Sequence, residues 1–239
     1  MTWNINGALG RNPRFDLARV VDYVRRHSPD IVALQEIDSR RARAVGMANP
    51  FDVLRDALGK HGAHAHAIST ADGDYGQALI SRWPLAASSV HDLSYPEREP
   101  RRAIGADVAT PAGMLRVIAT HLGLSVRERR AQAQVLLDLL GPLDGSLAER
   151  PIVVMGDFND WFWAGSVRRA LERVLPRCTR YRTFPALLPL LELDRIYVSA
   201  AVRLTGTGTD RSAKALSDHL PVIADIELHE GLHEPFLSS

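Results

Sequence analysis

Asn4 lies in TWNIN, Glu36 closes VALQE, His121 closes VIATH, Asp157 and Asn159 follow IVVMG, Asp194 opens DRIYV, and Asp218-His219 precede LPVIADI. Each polar side chain sits where a short apolar run begins or ends, and strand ends on one rim of a sheet converge on one place. Oxygen ligands from Glu36 and from an amide such as Asn4 suit Mg²⁺ or Mn²⁺ better than zinc. Such an ion keeps several waters and takes a remaining ligand from a substrate phosphate. Asp157 is suited to accept a proton from an attacking water, and Asn159 to donate to an oxygen where negative charge develops. His219, oriented by a carboxylate such as Asp194, fits a general acid, a general base or a cationic phosphate clamp. The reaction implied is metal-assisted hydrolysis of a phosphoester.

Taken singly, each residue has a plainer reading. Glu36 could be a solvated strand terminus, Asn4 an edge residue, and His121 a satisfied core histidine. Asp157 and Asn159 could make an Asx-turn, and Ser217 to His219 is a common turn composition. All of these plain readings would have to hold at once for the set to be accidental.

The elements that must carry these residues are visible as apolar runs. TWNIN, DIVALQE, QALIS, RAIGADVA, LRVIATHL, PIVVMGDF, LDRIYVS and PVIADIEL read as strands, several buried on both faces. In FDLARVVDYVRRHSPD, Leu17, Val20, Val21 and Val24 share a helical face, with Pro29 and Asp30 as the stop. VRERRAQAQVLLDLLGP repeats the design, with Val135, Leu136, Leu139 and Leu140 facing inward. Strands follow one another without helices from about Gln77 to Leu122 and from Asp194 to Leu228. The mixture of βαβ and meander segments predicts an α/β fold of two packed mixed β-sheets with helices outside. One domain is expected over residues 1–229, followed by a fraying C-terminal tail, 230–239.

The 239 residues are 46% apolar and 24% charged, enough for one sizeable domain. A net charge of +1 gives no global field toward nucleic acid or an anionic membrane, so any such partner must be held locally. The single cysteine, Cys178, excludes an internal disulfide framework and a cysteine-rich zinc site. MTWNINGALGRN lacks signal-peptide character and no apolar run is long enough to span a bilayer, which makes a cytoplasmic location the expectation.

TWNIN, LQE, THL, GDFN, LDRIYVS and SDH stand in the order and approximate spacing of the endonuclease/exonuclease/phosphatase superfamily, and the chain resembles that family from Thr2 to about Leu228. The resemblance implies a four-layer α/β/β/α sandwich with the site between the loop ends of the two sheets. It implies metal binding by Asn4 and Glu36, with Asp218 as a further ligand, and activation of water by Asp157. It also implies a transition-state contact from Asn159, phosphate contacts from His121 and His219, and Asp194 as the partner of His219. EPRRA is similar to the family's EPRGA, which makes Arg101 a candidate phosphate contact. YGQAL resembles a segment usually read YGNA, with Gln77 in place of Asn. Family members carry a few strand residues before the TWNI-like motif, whereas Asn4 stands three residues after Met1. GDFNDW and TFPALLPLLELDRIYVS resemble a compact bacterial branch of hydrolases. Thr183 to Pro189 reads either as a loop placing a threonine and prolines near the site or as a proline-stiffened connection into the Asp194 strand.

The leading expectation is a Mg²⁺- or Mn²⁺-dependent phosphoric ester hydrolase, a phosphodiesterase before a monoesterase. Its substrate is left open among nucleic acid, phospholipid and small phosphodiester, with no protein partner evident. A DNA or RNA nuclease is the alternative, drawing on Arg40-Arg41 with Arg43, Arg101-Arg102 and Arg129-Arg130, although arginines on helices usually form a solvated face. A catalytically silent binding module is the other. Trp161, Phe162 and Trp163 follow the candidate water-activating loop. Phe162 is expected to pack as core, and Trp161 to line the substrate cleft, stacking on a base or sugar or covering a lipid's glycerol region.

Overall fold

The computed structural model describes residues 1–8, 16–142, 144–161 and 165–228. Phe162, Trp163 and the tail 230–239 lie outside the described residues. Twelve strands form two six-stranded mixed sheets. In the first, the order is β11 (Val202–Thr209), β12 (Val222–Leu228), β1 (Thr2–Asn4), β2 (Ile31–Asp38), β4 (Gly73–Ser81) and β3 (His61–Thr70). In the second it is β5 (Leu85–Asp92), β6 (Arg102–Thr110), β7 (Gly113–His121), β8 (Ile152–Asp157), β10 (Asp194–Val198) and β9 (Arg177–Cys178).

Three separate apolar clusters fill the spaces between four layers, as period-two alternation along the strands requires. Ala33, Val117, Ala119, Val153 and Met155 point between the sheets. Their neighbours point outward. Val32 and Leu34 meet Val20, Val24, Phe51 and Leu54 of α1 (Leu17–His27) and α3 (Pro50–Leu58). Ile118, Ile152 and Val154 meet Ala133, Leu136, Val167 and Leu171 of α4 (Val126–Leu139) and α5 (Ser166–Glu172). The fold is the expected α/β/β/α sandwich.

Two local readings change. The first helix stops at Ser28, in the left-handed conformation, with its N–H bonded to the carbonyls of Val24 and Arg25, before Pro29 is reached. The inward face of α4 is partly polar: Val135 and Leu139 are only half-buried, while Glu128, Arg129 and Gln132 are fully buried beside Leu136. Arg129 therefore does not belong to a solvated arginine face. No helix among the described residues is long and apolar enough to cross a membrane.

A cavity of about 650 Å³ lies between the sheets at the end where β2, β7 and β8 begin, lined by Met1, Ile31, Trp83, Val153 and Ile223 among others. The polar residues singled out above are at the opposite end. Apolar volume and chemistry are thus separated in this molecule.

Candidate active site

Backbone geometry delivers the side chains. β1 and β2 run parallel with Asn4 opposite Gln35. An extra residue in β2 then bulges against β4, and Glu36 takes φ +57, turning its carboxylate toward Asn4. β7 and β8 run parallel with His121 opposite Asp157, and β10 lies antiparallel on β8 with Asp194 opposite the same Asp157. The close approach of β7 and β8 needs Gly156. Its φ is +154, and a Cβ there would stand 1.9 Å from the Thr120 carbonyl oxygen. Asn159, at φ +49, donates its backbone N–H to Asp157 Oδ1 at 2.9 Å, so the Asx-turn reading is also correct.

Asp157 stands at the middle of the cluster. Asn4 Nδ2 donates to Asp157 Oδ2 at 3.1 Å and to Glu36 Oε1 at 2.8 Å, while its own amide oxygen accepts from the Asn6 N–H. The same Asp157 Oδ2 is 3.6 Å from His121 Nε2 and 3.8 Å from His219 Nε2. His219 Nδ1 is 2.8 Å from Asp194 Oδ2. Asn159 Nδ2 donates to the Leu122 carbonyl at 3.0 Å and lies 3.3 Å from His121 Nε2. Both of its donors face protein groups, so contact with a substrate oxygen requires giving one up.

The two imidazoles are in opposite states. Burial lowers His219, but Asp194, Asp157 and Asp218 outweigh it, and the ring is pushed up to about 10. Burial, with the Arg101 guanidinium nearby, pushes His121 down to about 3. Glu36 is raised by burial and by Asp157, against the hydrogen bond from Asn4. Asp157, Asp194 and His219 present ligand atoms within 4.8 Å of one another, a group able to hold a metal ion.

The remaining predicted residues lie around this centre. Asp218 is exposed, with its Oδ1 3.4 Å from the Ser217 hydroxyl. Arg101 is buried beside His121 and Tyr75, donates to Glu99 and keeps a buried Nε without a partner. Gln77 is buried and donates to the Arg102 carbonyl. Trp161 is 39% exposed, with the Arg129 guanidinium 5.1 Å from its ring centre.

Further residues support the site, among them Trp3, Phe184 and Arg129, none of which the sequence alone singles out for that role. Ser217 Oγ donates to the Asn4 carbonyl and accepts from the His219 N–H, and Trp3 Nε1 donates to the His219 carbonyl, tying the SDH turn to β1. Thr183 Oγ1 accepts from the Asp194 N–H, and the Phe184 ring packs 4.8 Å from that of His219. The Thr183 segment therefore does reach the site. Arg129 Nη1 donates to the Leu124 carbonyl at 2.5 Å, and Arg129 Nε is 3.7 Å from Asp160, joining the loops after β7 and β8. A buried arginine in a stretch as polar as VRERRAQ leaves no periodic trace.

The Endonuclease/Exonuclease/phosphatase family model matches residues 1–219. The chain belongs to the endonuclease/exonuclease/phosphatase family. Members of this family hydrolyse phosphoester bonds. Among curated relatives, the chain is 33% identical over 245 residues to protein YbhP of Escherichia coli (strain K12), covering 95% of each chain. Among solved structures, its fold is similar to that of an endonuclease/exonuclease/phosphatase from Beutenbergia cavernae, with TM-score 0.76, 20% identity, and coverage of 95% of this chain and 70% of that one. It is also similar to the human Nocturnin catalytic domain with bound sulfate, with TM-score 0.72, 21% identity and 95% and 91% coverage.

Proposed function

We propose that this endonuclease/exonuclease/phosphatase-family chain is a Mg²⁺- or Mn²⁺-dependent phosphodiesterase in which Asp157 activates water. The observation that carries the reading is the position of the Asp157 carboxylate between a neutral His121 and a protonated His219, with Asn4 linking it to Glu36. The donor set fits a hard dication: Glu36 is raised in part because other carboxylates crowd it, and a cation relieves that crowding. Glu36 and Asn4 would hold the ion, with exposed Asp218 nearby. His219 is a poor ligand because its Nδ1 is engaged by Asp194 and the ring keeps its proton. When bound, the ion supplies charge neutralisation and polarisation of a phosphoryl oxygen.

The chain's own residues do the rest. Asp157 takes the proton of a water as its oxygen bonds to phosphorus, and the bond to the leaving oxygen breaks. His219, held through Nδ1 by Asp194, presents a cationic N–H at Nε2 to a phosphoryl oxygen and retains its charge through the neutral range. Asn159 and the Leu122 carbonyl fix the His121 side of the site. Most of the basic clusters weigh against duplex nucleic acid as substrate: Arg40 and Arg41 are paired with Asp38, Arg101 with Glu99, Arg102 with Asp92 and Arg129 with Asp160, while Arg43 donates to the Ala71 carbonyl and Arg130 is exposed. The completeness of the polar set speaks against a silent module.

The test is hydrolysis of bis(p-nitrophenyl) phosphate by metal-stripped protein with and without added Mn²⁺ or Mg²⁺. Turnover that appears with the ion and disappears with a chelator is expected. Equal turnover in excess chelator removes the metal assignment, and no turnover under any condition removes the hydrolase reading for this class of diester.

A further inference from the structure

The loop between Thr183 and Asp194 has a composition that water does not favour. ALLPLL runs from Ala186 to Leu191, where an exposed connection would ordinarily carry Gly, Ser, Asn or Asp. The segment is ordered by its own backbone. Phe184 and Leu191 form a β-bridge, Leu190 N–H and Leu191 N–H both donate to the Phe184 carbonyl, and Leu188 N–H donates to the Pro185 carbonyl. Built this way, the loop leaves Leu187 50%, Leu188 64% and Leu190 56% exposed at its tip. Single exposed leucines are ordinary, but three within four residues on a closed loop mark an interaction surface.

Its roots are in the catalytic cluster. Phe184 touches the His219 ring, Thr183 holds the Asp194 backbone, and the Ala186 N–H donates to the Asp218 carbonyl at 2.6 Å. On the loops after β7 and β8, at the same end of the sandwich, Leu124 is 59% and Trp161 39% exposed. A phosphoester that enters between these loops therefore meets apolar surface next to the charged centre. Arg182, exposed at the start of the leucine loop, adds a cation at its margin. Nucleic acid would be met by cations and stacking rings along its track, whereas the exposed tip here is leucine, with Arg182 at its margin and the Trp161 ring on the loop after β8. Aliphatic side chains at a tip with a cation at the margin match the acyl and phosphate levels of a lipid surface.

We propose that the Phe184–Leu191 loop docks on a lipid surface and that the phosphoester brought to Asp157 and His219 belongs to a lipid headgroup. This rests on the hydrolase reading above, and the two are tested by separate measurements. The full chain is sedimented with vesicles of phosphatidylethanolamine and phosphatidylglycerol, alongside a triple variant carrying Leu187→Ser, Leu188→Ser and Leu190→Ser whose melting temperature is measured in parallel. Wild type should bind, and the triple variant should bind at least ~10-fold more weakly. A Leu188→Trp variant supplies a second readout that does not depend on the triple variant folding: its emission in excess of wild type should shift to the blue on vesicle addition and be quenched by brominated lipid. Absence of wild-type binding, equal binding by a folded triple variant, or an unshifted excess emission from Leu188→Trp overturns the proposal. So does self-association in the ultracentrifuge without vesicle binding, which would make the tip a contact between copies. Failure to hydrolyse the soluble aryl diester with Mn²⁺ counts against the hydrolase reading and leaves vesicle binding as a separate result.

Discussion

A protonated imidazole and a neutral one stand 3.8 and 3.6 Å from the same carboxylate oxygen, and the proposed hydrolysis gives them different tasks. Asp157→Asn keeps the hydrogen bond to the Asn159 N–H and removes the proton acceptor, so turnover should fall at least ~10²-fold. His219→Ala removes the cationic donor and should cost a similar factor. Asp157 ends β8 and His219 lies in the turn before β12, both outside the apolar clusters, so melting temperatures measured beside the rates should move little; near-wild-type turnover in either variant would rule out its role. Glu36→Gln acts differently. It deletes one charge from a site with few protein ligands, and the Mn²⁺ concentration at half-maximal rate should rise at least ~10-fold with a smaller change in the saturated rate. The candidate residues were legible because each lies in a short polar motif at or beside a strand end. Some supports were less legible: the Thr183 segment reads in two ways, and Phe184 and Arg129 act through a ring face and a buried guanidinium, neither of which has a sequence period.

At the scale of elements, the eight apolar runs read from the sequence are the eight inner strands of the two sheets, β12, β1, β2, β4 and β6, β7, β8, β10. The four that left no clear run, β11, β3, β5 and β9, are the four sheet edges. The reason is physical. Most inner strands are covered on both faces and read as runs rich in Val, Ile, Leu and Ala, whereas the edge strands HGAHAHAIST and VRLTGTGT are partly solvated and carry polar side chains. The candidate site residues lie on inner strands or on loops that adjoin an inner strand, where the sequence runs are clearest. Its most demanding contact is the Gly156 backbone against Thr120. In Gly156→Ala the new Cβ meets the Thr120 carbonyl, and because that atom is backbone the parallel pair of β7 and β8 must separate. A loss of about 2 kcal/mol or more is expected in chemical denaturation. Turnover should fall with it, since His121 and Asp157 are the last register pair of that ladder; a stable, fully active variant would show that the ladder tolerates a side chain here.

At the scale of the whole molecule, the apolar cavity and the polar cluster lie at opposite ends of the sandwich. β12 pairs with β11 along its length but with β1 only at Val222, because β1 spans only Thr2–Asn4. The cavity of about 650 Å³ opens beside Met1 in that interval. The Met1 ammonium donates to the Ile31 carbonyl at 2.9 Å, the bond a ladder amide would make, yet it is buried, and burial lowers it to about 5 despite Asp225 and Asp30. A base whose folded pKa lies below its unfolded value binds fewer protons when folded, so stability rises with pH between about 5 and 8 and is lost as pH falls through that window. At pH 7 this costs roughly 1–2 kcal/mol. An engineered N-terminal extension of alternating apolar residues replaces the titrating amino group by an amide that does not titrate and keeps the Ile31 bond. It also continues β1 antiparallel to the open side of β12. Thermal melts from pH 5 to 8 should show a higher melting temperature for the extended chain and a shallower pH slope, with turnover of the aryl diester unchanged at the far end. An extension that leaves both the melting temperature and its slope as they are would mean that the ammonium is hydrated in solution and that the interval beside β12 does not accept a strand.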